Sequence, residues 1–266
     1  MSSYRGWGTP SHRAYGGGGG GWGWGYKPTP VVKQLLILNT ALFLGLVLLS
    51  IFDPPWAKLV VDLFGVLPED TVFRFHLWQP VTYMFLHAGF WHLFFNMFAL
   101  WMFGTPIERD WGSRRFLRYY FLTGIGAGLL NVAVSLLWGG PAAVTPTIGA
   151  SGAIYGLLLA FGVLYPHQPI LIWFILPVPA RIFVAIYGVL TLLSAMQGPG
   201  TGVSHISHLG GMLFGVVYLR GGWLLYRGRR GLAEWKLRRA RSKFEVYMRD
   251  QDEPPEKRRE PPRWIN

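Results

Sequence analysis

Long stretches without charge dominate the pattern of hydrophobic and polar positions. None of Asp, Glu, Lys or Arg occurs in 34–52, 80–107, 119–180 or 182–219. A helix needs about 20 consecutive apolar residues to cross a bilayer. The first two stretches fit one span each, and the last two hold two each. They do not alternate in polarity as the ~10-residue strands of a membrane barrel would. The pattern predicts an all-α polytopic membrane protein, a bundle of six transmembrane helices. The spans are expected near Val31–Phe52, Pro80–Phe103, Tyr119–Trp138, Gly149 to Tyr165-Pro166, Ile182–Met196 and Ser204–Leu219. Loop 53–79 holds Trp56, Phe64, Phe73, Phe75 and Trp78, too apolar for a solvated linker. It reads as partly embedded in the outer interface, where amphipathic aromatics sit. The connector 167–181, with Pro169, Pro177 and Pro179, reads as lying at the membrane surface.

The flanks differ in kind. Residues 1–30 carry a glycine run and Trp22-Gly23-Trp24-Gly25, a composition that buries too little surface to order itself, so this segment is expected to be disordered. It shows no apolar core with a small-residue cleavage site, so the first span is expected to act as an uncleaved signal. Residues 31–222 form the membrane domain. Residues 223–266 form a basic tail, with a helix near 231–250 that lies on the inner membrane surface or is simply solvated.

Composition agrees. The chain is 51% hydrophobic and 14% charged, against roughly 25% charge in a soluble domain. The net charge of +12 would suit nucleic acid, but its location points to lipid instead. Residues from Arg220 onward hold 14 Lys and Arg, loop 2–3 holds four, and loops 3–4 and 5–6 hold none. Positive charge collects on the cytoplasmic side. Both termini are therefore expected in the cytoplasm, with a bacterial inner membrane the simplest setting. There is no cysteine, so no thiol nucleophile, disulfide or Cys-zinc site exists.

Three segments place polar groups inside the apolar runs, where they are costly and so are candidates for function. Gly149-Ala150-Ser151-Gly152-Ala153-Ile154-Tyr155-Gly156 puts a serine at a helix start. Ser151 reads either as a small residue easing helix packing or as an exposed nucleophile. His92 and Asn96 lie one helical turn apart on one face, with His87 nearer the outer end. His205 and His208 lie at the start of the sixth span. All fall at one depth, in the outer half of the membrane. A serine hydroxyl needs a neighbouring base, and histidine suits that role. His208 or His205 could serve. His92, Asn96 and the Ser151 backbone N–H could stabilise an oxyanion. These spans hold no acid, so a Ser–His dyad is the only version available. Gly152 and Gly156, like Gly211 and Gly215, are four apart and clear one face of each helix for close approach. Tyr155, one turn below Ser151, reads as a core aromatic or as a ring stacked on the histidine.

Gly149-x-Ser151-Gly152, His208-x-x-Gly211 and His92-x-x-x-Asn96, in this order on these spans, resemble the rhomboid family of intramembrane serine proteases over roughly residues 31–222. The resemblance implies Ser151 as nucleophile, His208 rather than His205 as base, and His92, Asn96 and the Ser151 N–H as oxyanion hole. Gly149, Gly152, Tyr155, Gly211 and His87 would support them, His87 in a structural or water-retaining role. It implies single-span membrane proteins as substrates, with no metal, no cofactor and no nucleic acid. Trp78-Gln79 stands where the family often has Trp-Arg, which removes a charge that could anchor loop 1. Glu108 matches a structural acid of the family. The resemblance also implies gating by span 5, which is short, bounded by Pro179 and Gly198-Pro199-Gly200, and shows no buried polar anchor. The alternatives are a catalytically inactive rhomboid-like protein that binds membrane proteins, and a haem or metal protein using paired histidines.

Overall fold

The computed structural model describes residues 27–172, 175–196, 205–221, 234, 235 and 237–239. The Gly/Trp-rich start, the turn expected near 197–202 and most of the helix expected in the tail fall outside these residues. The chain divides into two units, Met1–Leu219 and Arg220–Asn266. In the second unit, Arg239 lies 5.3 Å from the Trp235 ring centre.

The first unit is mostly helical. Helix α1 is Pro30–Phe52, with its proline in the first turn, where no backbone donor is lost. Its own N-cap, Thr29, makes no side-chain cap. The buried carboxylate of Glu108 takes that place from 76 residues away. It accepts from Val31 N at 3.1 Å, Val32 N at 2.9 Å, the Thr29 hydroxyl and Ser113 Oγ at 2.6 Å. An anion at a helix N-terminus satisfies orphan N–H groups and complements the helix dipole.

Loop 1 is folded rather than open. Helix α2, Pro54–Phe64, starts on an Asp53 cap to Trp56 N, and α3 is Pro68–Phe73. Gln79 is fully buried beneath them. Its Oε1 accepts from Thr71 Oγ1 at 2.6 Å and Leu67 N at 3.1 Å, and its Nε2 donates to Asp62 O at 3.1 Å. A neutral amide thus anchors the loop at the position where the family's charge was expected.

The second apolar stretch is not one helix. It runs as α4 (Gln79–Thr82), a 3-10 turn (Tyr83–Phe85), a non-helical break over 86–89, α5 (Phe90–Ala99), a π-helical turn (Leu100–Gly104) and α6 (Thr105–Trp111). The continuous span expected over Pro80–Phe103 is corrected here: apolarity reports burial, while Leu86 and Gly89 adopt extended backbone. Helix α7, Ser113–Trp138, is the longest among the described residues and ends at Gly139 and Gly140, both with positive φ. The short α8 is Pro141–Val144. Helix α9 is Ser151–Leu164 and α10 is Ala180–Met196. Helix α11 is described over 205–221, of which 205–219 belong to this unit. The connector 167–181 holds an antiparallel hairpin, β1 (Pro169–Ile172) against β2 (Leu176–Pro179), with Ile170 paired to Val178. Both strands are edges, so their prolines remove no needed ladder bond.

Helix α7 lies against α9. Tyr119 OH donates to Gly156 O at 2.7 Å, and Tyr83 OH donates to Gly124 O at 2.7 Å. Among the described residues, two helices are long and apolar enough to cross a membrane, Pro30–Phe52 and Ser113–Trp138. Helices α9 and α10 are apolar but have 14 and 17 residues.

Burial raises the pKa of Glu108, but the hydrogen bonds from Ser113, Thr29, Val32 and Val31 outweigh it, and the net is a value below the ordinary 4.5. The stability from the charged form is therefore complete above that ordinary value and is lost as pH falls through the depressed folded value. Glu108→Gln should lower stability by about 1–3 kcal/mol near neutrality. In thermal unfolding in detergent, the gap from wild type should narrow as pH drops below about 4.5. A gap that does not change with pH would assign the loss to packing rather than to the carboxylate.

Candidate active site

The site is built on the turn before α9. Gly149 has φ of 124°, a conformation that favours glycine. Its N–H donates to Tyr83 O at 2.8 Å. Two residues earlier, Thr147 pairs with Val66 of loop 1 through N–H···O bonds of 2.8 and 2.9 Å. The turn delivers Ser151 as the first residue of α9, where helix N–H groups are left over for a ligand.

Four close contacts complete the site. His208 Nε2 lies 2.8 Å from Ser151 Oγ. The Tyr155 ring stacks on His208 at 4.1 Å and 7°. A Cβ placed on Gly149 would come within 2.7 Å of His92 Cε1 and Nε2, so the His92 ring rests on this glycine beside Ser151. Ala88 N–H donates to His92 Nδ1 at 3.3 Å. In a neutral ring with Nδ1 accepting, the proton sits on Nε2, the nitrogen facing the serine turn.

The remaining expected residues differ in placement. Asn96 is buried and lines the same cavity, but its Nδ2 donates to His92 O at 2.7 Å, which leaves one amide proton for another acceptor. His205 stands edge-on to His208 at 6.0 Å, so the ring within reach of Ser151 is that of His208. His87 packs edge-on to His92 at 5.1 Å and lines a separate groove of about 480 Å³ with Phe43 and Lys58. The cavity at Ser151 is about 760 Å³ and is bordered by His92, Asn96, Tyr155, Tyr187 and His208.

The glycine pairs work differently from each other. A Cβ on Gly211 of α11 would lie 1.9 Å from Gly152 O, so α9 and α11 meet backbone to backbone. Gly152 and Gly156 open mainly toward α7, where a Cβ would meet Ala127 Cβ at 2.5 Å and Thr123 Cβ at 2.6 Å. Two polar residues of the site were not foreseen. Tyr83 braces the serine turn and lines the cavity. Thr191 of α10 is buried with its Oγ1 3.4 Å from Tyr155 OH. The fifth apolar segment therefore does carry a buried polar anchor. A lone Tyr or Thr in an apolar run has no sequence signal that separates it from ordinary core.

These features define a helical membrane protein with a paired serine and histidine set within its apolar body. Residues 74–227 match the model of the Rhomboid domain. The chain is 37% identical over 142 residues to "Rhomboid protein 1, mitochondrial" of Saccharomyces cerevisiae, covering 53% of this chain and 40% of that protein. It is 38% identical over 95 residues to "Rhomboid protease GluP" of Bacillus subtilis, covering 36% and 17%. It is 30% identical over 204 residues to "Rhomboid protease AarA" of Providencia stuartii, covering 69% of each. The chain thus spans less than half the length of the first two relatives and about two thirds of the third. The chain belongs to the rhomboid family of intramembrane proteases and is an integral membrane protein.

Gly211→Ala has no room for its methyl group and must push α9 from α11. It should abolish labelling of the site serine by a fluorophosphonate. Gly188→Ala, whose nearest neighbour is Met212 Sδ at 3.7 Å, should leave labelling intact. Normal labelling of Gly211→Ala would mean that the close helix contact does not set the site.

Proposed function

We propose that the chain is an intramembrane serine endopeptidase that cleaves single-span membrane proteins near the outer membrane face, with Ser151 as nucleophile and His208 as general base. The observation that carries this reading is the 2.8 Å separation of Ser151 Oγ and His208 Nε2 beneath a stacked Tyr155. Ser151 Oγ attacks the scissile carbonyl carbon while His208 Nε2 takes its proton. The developing oxyanion is received by His92 Nε2–H, the free Asn96 N–H and the Ser151 backbone N–H. Collapse of the intermediate breaks the C–N bond, and His208 returns the proton to the leaving amine. Water then attacks the acyl-enzyme, again deprotonated by His208, and Ser151 is regenerated.

The six apolar segments are read as six membrane-embedded elements, with the short and broken ones lying where the cavity meets water. The lysine and arginine asymmetry supports both termini on the cytoplasmic side. A bacterial inner membrane is the reading adopted for the setting. The main rival is an inactive rhomboid-like binder, and the presence of both Ser151 and His208 favours the enzyme.

A fluorophosphonate should label wild type in detergent but not Ser151→Ala. His208→Ala should abolish cleavage of a tagged single-span substrate, and near-normal cleavage would move the base to His205. Asn96→Ala should lower kcat by at most about 10²–10³-fold, the effect of one oxyanion donor. Labelling that persists without Ser151 would leave the binder reading standing.

A further inference from the structure

We infer that Thr191 is a positioning residue: through the Tyr155 hydroxyl it sets the orientation of the His208 ring and ties that orientation to the seat of α10. The inference rests on the Ser151–His208 reading above. His208 Nδ1 is buried and has no hydrogen-bond partner among the described residues. Among the described residues no carboxylate bonds the ring, and beside the bond to Ser151 Oγ its plane is set by the stack with Tyr155. Stacking forces are spread over many weak contacts and resist sliding and in-plane rotation poorly. The Tyr155 ring therefore needs a hold of its own.

Thr191 supplies that hold. Its single hydroxyl proton is committed to Tyr187 O at 2.7 Å, so across the 3.4 Å gap Tyr155 O–H donates and Thr191 Oγ1 accepts. Much of the rest of α10 is apolar and outward, with Ile186, Val189, Leu190, Leu192 and Leu193 exposed. Thr191 is 4% exposed and the only hydrogen-bonding side chain among the buried residues of this helix, which are Ala180, Thr191 and Ala195.

The packing of α10 is uneven. At its start, a Cβ on Gly162 of α9 would lie 2.7 Å from Val184 Cγ2 and 3.6 Å from Ala180 O. One turn beyond Val184, a Cβ on Gly188 would find nothing nearer than Met212 Sδ at 3.7 Å. The closest approach of the helix is near the hairpin, and at Gly188 the contact is an ordinary one. It also borders the Ser151 cavity through Phe183 and Tyr187. An outward shift of this border would stretch the already long Thr191–Tyr155 contact early, and release of Tyr155 would loosen His208. The helix that flanks the cavity and the alignment of the base are thereby coupled.

The test uses the purified full chain, a tagged single-span substrate and a fluorophosphonate probe. Thr191→Val keeps the shape and removes the acceptor. It should lower kcat about two- to tenfold, the worth of one neutral hydrogen bond, with KM little changed. Thr191→Ser keeps the hydroxyl and should retain wild-type kcat. Tyr155→Phe should show a similar loss, and adding Thr191→Val to it should cause no further loss. An unchanged kcat in Thr191→Val, a Thr191→Ser variant as impaired as Thr191→Val, or losses that multiply in the double variant would each overturn the coupling. Thermal midpoints of all four variants identify any that merely fail to fold, and the serine variant Thr191→Ser then decides. If Ser151→Ala still takes the probe, the dyad reading itself has failed, whatever Thr191 does.

Discussion

The site depends on one backbone contact, the place where α11 meets α9 with no side chain between them. A methyl group on Gly211 would fall 1.9 Å from Gly152 O. Helices separated by ordinary side chains lie 8–10 Å apart, axis to axis. Removing the side chains lets the backbones approach, as small residues do within membranes. That approach carries His208, three residues before Gly211, to Ser151, one residue before Gly152. It also lays His208 flat on Tyr155 one turn further along α9. Pair and stack are thus both consequences of one steric allowance. One turn on, Gly215 makes room for side chains instead, since a Cβ there would meet Tyr119 OH at 2.7 Å and Leu159 Cδ2 at 2.9 Å.

Within that frame, the polar groups are positioned by neutral hydrogen bonds more than by charge. Gln79 ties α2 and α3 together with an amide in a buried place where an unpaired charge would be costly. Tyr83 reaches in two directions, its carbonyl to the Gly149 N–H and its hydroxyl to Gly124 O. Loop 1 and the serine turn are joined through Val66 and Thr147. Glu108 is the exception. It is a buried carboxylate, and it is stable because four donors and a helix N-terminus surround it.

Much of this was legible in the sequence because it depends on residue identity and spacing. Ser151 with its flanking glycines, His208 three before Gly211, and His92 four before Asn96 are patterns that apolar surroundings make conspicuous. The start of α9 fell within two residues of its expected place, because Gly149 marks it. Other features left no such trace. The break in the second apolar stretch consists of Leu, His, Ala and Gly in a run that stays apolar, so hydropathy reads straight through it. The hairpin at Pro169–Pro179 carries prolines that argue against helix but do not by themselves specify a strand pair. The sharing of Gly152 and Gly156 with α7 was hidden as well, since spacing shows that a helix face is clear and not which neighbour fills it.

That break is where fold and chemistry join most closely. Non-helical backbone at membrane depth is tolerated where protein or a polar cavity satisfies its groups. Within the break between Leu86 and Gly89, Ala88 borders the cavity at Ser151. An unbroken helix here would commit the Ala88 N–H to a carbonyl four residues earlier. Freed from the ladder, it donates to His92 Nδ1. One unmade helix bond thereby becomes the bond that places the His92 proton on the ring nitrogen facing the serine turn. The irregularity sets the tautomer of a residue beside Ser151, and a regular transmembrane helix with the same side chains would lack that donor.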